Sequence, residues 1–204
     1  MPTNPILRQL RKLAQNDQHV ARALARVGPP PPRSRPPGFP ALLRTIVGQQ
    51  ISAKAAMAMW RRIEEAIVPL APEGVVTMTA EQLRALGLSP QKIGYALGLA
   101  NDLVSGRIDL ASVHQLPDEE AVNELVKIKG IGRWSAEIYL LFALGRSDVF
   151  PSGDLALQTA FQRLKGLRRR PKPDRLVTLV EPWRPYRGAG AHFLWHFYAA
   201  PPMD

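Results

Sequence analysis

The chain contains no cysteine, which excludes disulfides, thiolate zinc sites and cysteine-ligated iron–sulfur clusters. A reducing compartment fits this absence, and a cytoplasmic location is expected. Long apolar runs are also missing: none reaches the roughly 20 residues of a membrane span. The amino terminus, MPTNPILRQLRKLAQNDQHVARAL, lacks the apolar stretch of about 7–15 residues found in a secretory signal. No membrane association is therefore expected. Acidic residues are few beside basic ones, 17 against 27, giving a net charge of +10 and a pI near 10.5. Such a surface favours a polyanionic partner, although charge alone does not say which.

What remains is enough for a core. The 204 residues are 46% hydrophobic, and they are read as one domain spanning 1–204. Apolar residues recur at helical spacing: Ile51, Ala55, Ala58, Met59, Ile63, Ala66 and Ile67 form one stripe, and Val122, Leu125 and Val126 another. Breakers divide the chain into expected helices at 3–15, 17–27, 38–49, 52–68, 79–86, 89–105, 118–127, 133–145, 154–164, 173–181 and 187–199. No strand pattern emerges, so the fold class is all-α. GPPPPRSRPPG, with its prolines between 28 and 37, cannot be helical. It is a stiff connector from an N-terminal helical pair, 1–27, into the main body. GLRRRPKP, at 166–173, is a basic loop that reads first as a solvated connector.

KIKGIGRWSAEIYL, at 127–140, carries the first chemical signal. A helix that starts after Gly-Ile-Gly exposes its first amides and its positive dipole end, and glycine lets another backbone approach. With a helix before it, the segment at 118–145 reads as helix–hairpin–helix. Gly130 and Gly132 with Lys127, Lys129 and Arg133 then form a seat for DNA phosphates. An ordinary αα turn with a glycine cap would produce the same tripeptide. Such a seat positions a backbone without performing chemistry.

Chemistry points to DVFPSGDLALQTAF, at 148–161. Asp154 opens a helix, so N-capping by Ser152 or Asp154 is its plain role. It also lies 24 residues past Gly130 (154 − 130), about one helix and one loop. LVKIKGIGRWSA followed by a Gly/Pro-rich loop and a single Asp resembles the helix–hairpin–helix DNA glycosylase superfamily. TIVGQQISAKAA and EPWRPYRGAGAHFLWHF are similar to the bacterial 3-methyladenine DNA glycosylase II family, a resemblance covering roughly residues 17–199.

The resemblance implies two helical subdomains with an active-site cleft between them, acting as a monomer on double-stranded DNA that contains damaged bases. It implies Asp154 as the catalytic residue and Gln49 or, more strongly, Gln50 as the wedge that fills the hole left by an extruded base. Relatives that also cut the strand carry a lysine where this chain has Trp134, so a monofunctional glycosylase is expected. Trp134 and Trp195 become walls of a pocket for positively charged alkylated purines such as 3-methyladenine and 7-methylguanine, since an indole face attracts cations. Ile138 departs from relatives with an aromatic there, which leaves the substrate range open. No cofactor is required, although the hairpin is implied to hold a structural Na or K ion through the carbonyls of Val126, Ile128 and Ile131. His192 and His196 stand at i and i+4 without a third metal ligand and are read as packing or phosphate contacts. Two alternatives stay open: excision of a neutral base such as hypoxanthine, and a non-catalytic protein that binds damaged DNA.

Overall fold

The computed structural model describes residues 5–201. Among the described residues there are thirteen α-helices, one 3-10 turn (Glu181–Trp183) and no strand, as the all-α reading expected. They fall into two compact units. One comprises the chain up to Ser34 together with everything from Gly145 onward; the other is Arg35–Leu144.

The discontinuous unit holds α1 (Pro5–Asn16), α2 (Gln18–Val27), α11 (Leu155–Lys165), α12 (Pro173–Leu179) and α13 (Arg187–Ala199). Its centre is α13, packed on α1, α2 and α11, with Phe193, Leu194 and Phe197 fully buried. The N-terminal pair is therefore a structural part of the C-terminal half, and Asp17 shows why. Its Oδ1 caps α2 by accepting from His19 N at 3.0 Å and Val20 N at 3.3 Å. Its Oδ2 accepts from Lys165 Nζ at 2.5 Å and from the buried Trp183 Nε1 at 2.8 Å. Burial alone would raise the Asp17 pKa, but the Lys165 and Trp183 hydrogen bonds outweigh it and hold the carboxyl below its usual value. One side chain thus ties together segments more than 160 residues apart in sequence.

The continuous unit holds α3 (Phe39–Val47), α4 (Ala53–Ala66), α5 (Pro72–Val76), α6 (Ala80–Ala85), α7 (Pro90–Val104), α8 (Leu110–Gln115), α9 (Asp118–Leu125) and α10 (Arg133–Phe142). Helix α7 packs against α3, α5 and α6, and α10 packs against α3 and α9. The connector enters this unit through Arg35, whose N–H donates to Phe142 O at 2.8 Å. Gly38 N then donates to the hydroxyl of the buried Tyr139 at 2.9 Å. Two short helices, α5 and α8, had no expectation in the sequence. The expected stripe on α4 is also narrower than its spacing implied: Trp60, Ile63 and Ile67 are buried, whereas Ala55 and Ala58 are exposed. That helix packs mainly on α3, so only one edge of it needs apolar cover. Val126, placed in the second stripe, is exposed as well.

Candidate active site

Asp154 is the N-cap of α11. The turn before it closes through Asp154 N to Pro151 O at 3.0 Å, and the buried Gln158 secures it by donating Nε2 to Ser152 O at 2.9 Å. The Asp154 backbone is extended (φ −73°, ψ 120°), and its Oδ1 accepts from Ala156 N at 2.8 Å and Leu157 N at 3.0 Å. Of the two candidate caps it is Asp154, and not Ser152, that closes this helix. Capping and catalysis are compatible, because the two amides fix the carboxylate's position.

The hairpin follows a different logic. Helix α9 ends at Leu125, the chain turns through Ile128 with Ile131 N donating to Ile128 O at 2.9 Å, and Gly132 becomes the N-cap of α10 with no side chain capping it. Gly130 has φ +92°, and a Cβ there would lie 2.4 Å from the Tyr95 ring. Only glycine fits. Gly132 faces nothing within 4 Å and keeps an ordinary φ, so its lack of a side chain leaves open space in front of the α10 N-terminus.

The chain thus carries a helix–hairpin–helix turn with an open glycine N-cap and an aspartate that caps the following helix. Residues 43–185 match the family model described as HhH-GPD superfamily base excision DNA repair protein. The chain belongs to this superfamily. It is 35% identical over 159 residues to DNA-3-methyladenine glycosylase 1 of Schizosaccharomyces pombe, covering 76% of this chain and 69% of that protein. It is 27% identical over 196 residues to DNA-3-methyladenine glycosylase 2 of Escherichia coli, covering 89% and 66%. Among solved structures, the S. pombe 3-methyladenine DNA glycosylase in complex with abasic DNA superimposes with a TM-score of 0.83 at 31% identity, covering 92% of this chain and 95% of that one.

For this HhH-GPD protein the structure also shows how the remaining site residues are held. Gln49 is not at a free tip: its Nε2 donates to Gly130 O at 2.8 Å, bolting the loop after α3 to the hairpin. Gln50, next to it, is exposed and adopts φ +57°, the only positive φ outside glycine among the described residues. A non-glycine residue in that region is strained and needs support from its surroundings. That support comes from Gln49 on one side. On the other, the buried Lys92 Nζ donates to Val47 O, the last residue of α3, at 2.7 Å. Burial holds the Lys92 ammonium below its usual pKa.

Gln49 and Gln50 share with Lys92, Tyr95, Lys129 and the hairpin an open depression of about 600 Å3. Sequence reasoning missed Lys92 and Tyr95. A single lysine inside the apolar run of α7 was the available signal for the first, and nothing local pointed to the second.

The three hairpin cations are not equivalent. Lys127 Nζ is held by Glu124 at 2.6 and 2.7 Å. Arg133 forks onto Glu119 with two bonds of 2.7 Å, and its Nε reaches Glu137 at 3.0 Å. A phosphate contact by either must compete with these carboxylates. Lys129 is exposed, and among the described residues no carboxylate pairs with it. Burial pushes the Glu137 carboxyl up to about 7 against the pull of Arg133.

Trp134 stands 43% exposed in the first turn of α10, and Ile138 is buried one turn later. Trp195 is half-buried and meets His192 edge-on at 6.2 Å between ring centres. Burial, reinforced by Arg33, lowers the His192 pKa to about 4, so this ring is neutral at physiological pH. His196 Nε2 lies 3.1 Å from Val27 O. No group of three metal-ligating side chains occurs among the described residues. Val126, Ile128 and Ile131 all line the depression beside the two glycines, and their carbonyls are the hard oxygen donors that an alkali cation takes. No helix among the described residues is long and apolar enough to cross a membrane.

Proposed function

We propose that this protein is a monofunctional DNA glycosylase that hydrolyses the N-glycosidic bond of alkylated purines, 3-methyladenine and 7-methylguanine, in duplex DNA. The observation that carries the reading is Asp154, a carboxylate fixed by two backbone amides behind a turn that a buried glutamine locks. The S. pombe and E. coli relatives named as DNA-3-methyladenine glycosylases and the fold shared with one bound to abasic DNA support the substrate class.

In this mechanism the open N-terminus of α10 and Lys129 take the DNA backbone, through amides and charge that see phosphates and not base edges. Gln50 enters the gap when a base is extruded. Its strained backbone, braced by Gln49 and Lys92, keeps that side chain projecting. The exposed face of Trp134 attracts a cationic purine, whose positive charge already makes it a good leaving group. As the bond breaks, Asp154 stabilises the oxocarbenium-like sugar. At 4 Å and an effective dielectric of 20 this contributes about 4 kcal/mol, roughly three decades of rate. A Na or K ion held by the Val126, Ile128 and Ile131 carbonyls would add positive charge beside the phosphate.

The test is to incubate the protein with methylated duplex DNA and, separately, with hypoxanthine duplexes, and to identify the released bases. Release of 3-methyladenine and 7-methylguanine is expected, with strands breaking only after hot alkali. Borohydride added during turnover should trap no protein–DNA adduct, because the indole of Trp134 cannot form a Schiff base. Release of hypoxanthine alone would replace the substrate class. Efficient trapping would end the monofunctional assignment, and release of nothing would favour a binding protein.

A further inference from the structure

The loop that follows α11 has no role in the mechanism above, yet it carries a dense run of cations without carboxylate partners among the described residues. Arg168, Arg169, Arg170, Lys172 and Arg175 are all exposed. Among the described residues, no carboxylate pairs with any of them, although Asp174 lies in the same run. This is the reverse of the hairpin, where two of the three cations are neutralised by glutamates.

The loop is also anchored, not a loose tail. Gly166 ends α11 in the left-handed conformation, and Leu167 N then donates back to Gln162 O at 3.0 Å. Gln162 Nε2 returns a bond to Leu167 O at 3.2 Å, Pro171 is buried, and Pro173 starts α12. The cations are therefore presented from a short segment tied at both ends, which reduces the conformational entropy lost when they bind.

Their position completes the case. Arg170 and Lys172 line an open depression of about 710 Å3 together with Gly153 and Leu155, the two neighbours of Asp154, and with Thr159 and Gln162. Polar side chains with one guanidinium and one ammonium group around an open depression suit phosphate oxygens.

We propose that residues 168–175 are a second contact surface for the backbone of duplex DNA, engaging phosphates close to the nucleotide on which Asp154 acts. The proposal rests on the glycosylase reading for the role of Asp154, but its binding test does not. Three proteins are compared: the unaltered chain; Arg168→Gln with Arg169→Gln and Arg170→Gln; and a control that removes equal charge elsewhere, Arg8→Gln with Arg11→Gln and Arg22→Gln. The dependence of log affinity on log salt is measured with an undamaged duplex, and base release from methylated duplex is followed in single turnover at saturating enzyme.

Three lost phosphate contacts should reduce the slope by about 2.7 for the loop variant. The control slope and the single-turnover rate should not change. Equal slopes in all three proteins, or equal losses in both variants, would overturn the proposal. If the loop variant fails to fold, arginine modification of the unaltered protein decides: duplex DNA should protect Arg168–Arg170 from phenylglyoxal, and their full reactivity in the complex would overturn it. Base release separates the two readings. A changed slope without any release keeps the surface and removes the glycosylase; release with an unchanged slope removes the surface alone.

Discussion

Two helix N-termini dominate this protein, and they are finished in opposite ways. At α10 the cap is Gly132, with no capping side chain and open space before it. At α11 the cap is Asp154, whose own carboxylate occupies the amides of the first turn. The positive end of a helix attracts an anion in either case. At α10 the amides of the first turn are left for an anion from outside, the phosphate of the proposed function, whereas at α11 the anion is built in, the carboxylate to which that proposal gives the chemistry. On that proposal the same backbone feature serves binding in one unit and catalysis in the other, and the residue at the cap decides which.

The largest effect should come from neutralising the built-in anion. Asp154→Asn keeps a good N-cap, since asparagine caps as well as aspartate, but removes the charge that stabilises the sugar cation. Base release should fall by about three decades, with little change in affinity for undamaged DNA or in the thermal midpoint. Asp154→Ala should lose the same activity and about 1 kcal/mol of stability as well. If Asn melts like Ala, or if Asn retains activity, the contrast between the two caps is wrong.

The two units should also respond oppositely to pH. Glu137, in the hairpin unit, rises from 4.5 to about 7 on burial. The folded state holds its proton more tightly than the unfolded state, so its contribution is complete below pH 4.5 and is lost as pH rises through 7. His192, in the other unit, falls from 6.5 to about 4. Its contribution is complete above pH 6.5 and is lost as pH falls through 4. Each shift of 2.5 corresponds to about 3 kcal/mol. Urea unfolding between pH 4 and 8 should therefore lose a falling component in Glu137→Gln and a rising one in His192→Gln. Parallel curves for both variants and the parent would show that neither group titrates as its burial requires.

Next in size is Gly130→Ala. The new methyl would meet the Tyr95 ring and require a left-handed conformation that costs alanine about 1–2 kcal/mol before any clash is counted. The thermal midpoint should drop by several degrees. Tyr95→Ala in the same background should recover only the steric part, leaving the backbone part behind.

Long, well-capped helices were legible in the sequence because periodicity and caps are local. The eleven expected spans correspond to helices of the structure, with ends shifted by a few residues; positions 3 and 4 of the first span lie outside the described residues. Helices α5 and α8, of 5 and 6 residues, had no expected span, although α6 is no longer than α8. The hairpin glycines and Asp154 were legible for the same local reason, as was Trp134 at the first turn. What could not be read were partners distant in sequence: Asp17 with Lys165 and Trp183, Gln49 with Gly130, Lys92 with Val47, and Glu119 with Arg133. Counting three hairpin cations as equal phosphate ligands overlooked that the chain places its own carboxylates on two of them. Charge seen in sequence is an inventory, and the fold decides how much of it faces outward.

The smallest change, and the sharpest probe of the open cap, is Gly132→Ala. Here φ is −86° and ψ 172°, a conformation alanine adopts freely, and no atom lies within 4 Å of the added methyl. Replacing glycine by alanine at an N-cap costs only about 0.5 kcal/mol, so the melting curve should barely move. The methyl would nevertheless stand in front of the first-turn amides of α10. A phosphate kept from one charge-assisted hydrogen bond loses about 1.5 kcal/mol, which weakens duplex binding by about tenfold. The loss should be the same for damaged and undamaged DNA, because those amides meet only the backbone. Gly130→Ala and Gly132→Ala then separate cleanly: the first lowers stability, the second lowers affinity at nearly unchanged stability. Unaltered duplex affinity in Gly132→Ala would mean that the α10 N-terminus receives no phosphate and that its open cap does not distinguish it in function from that of α11.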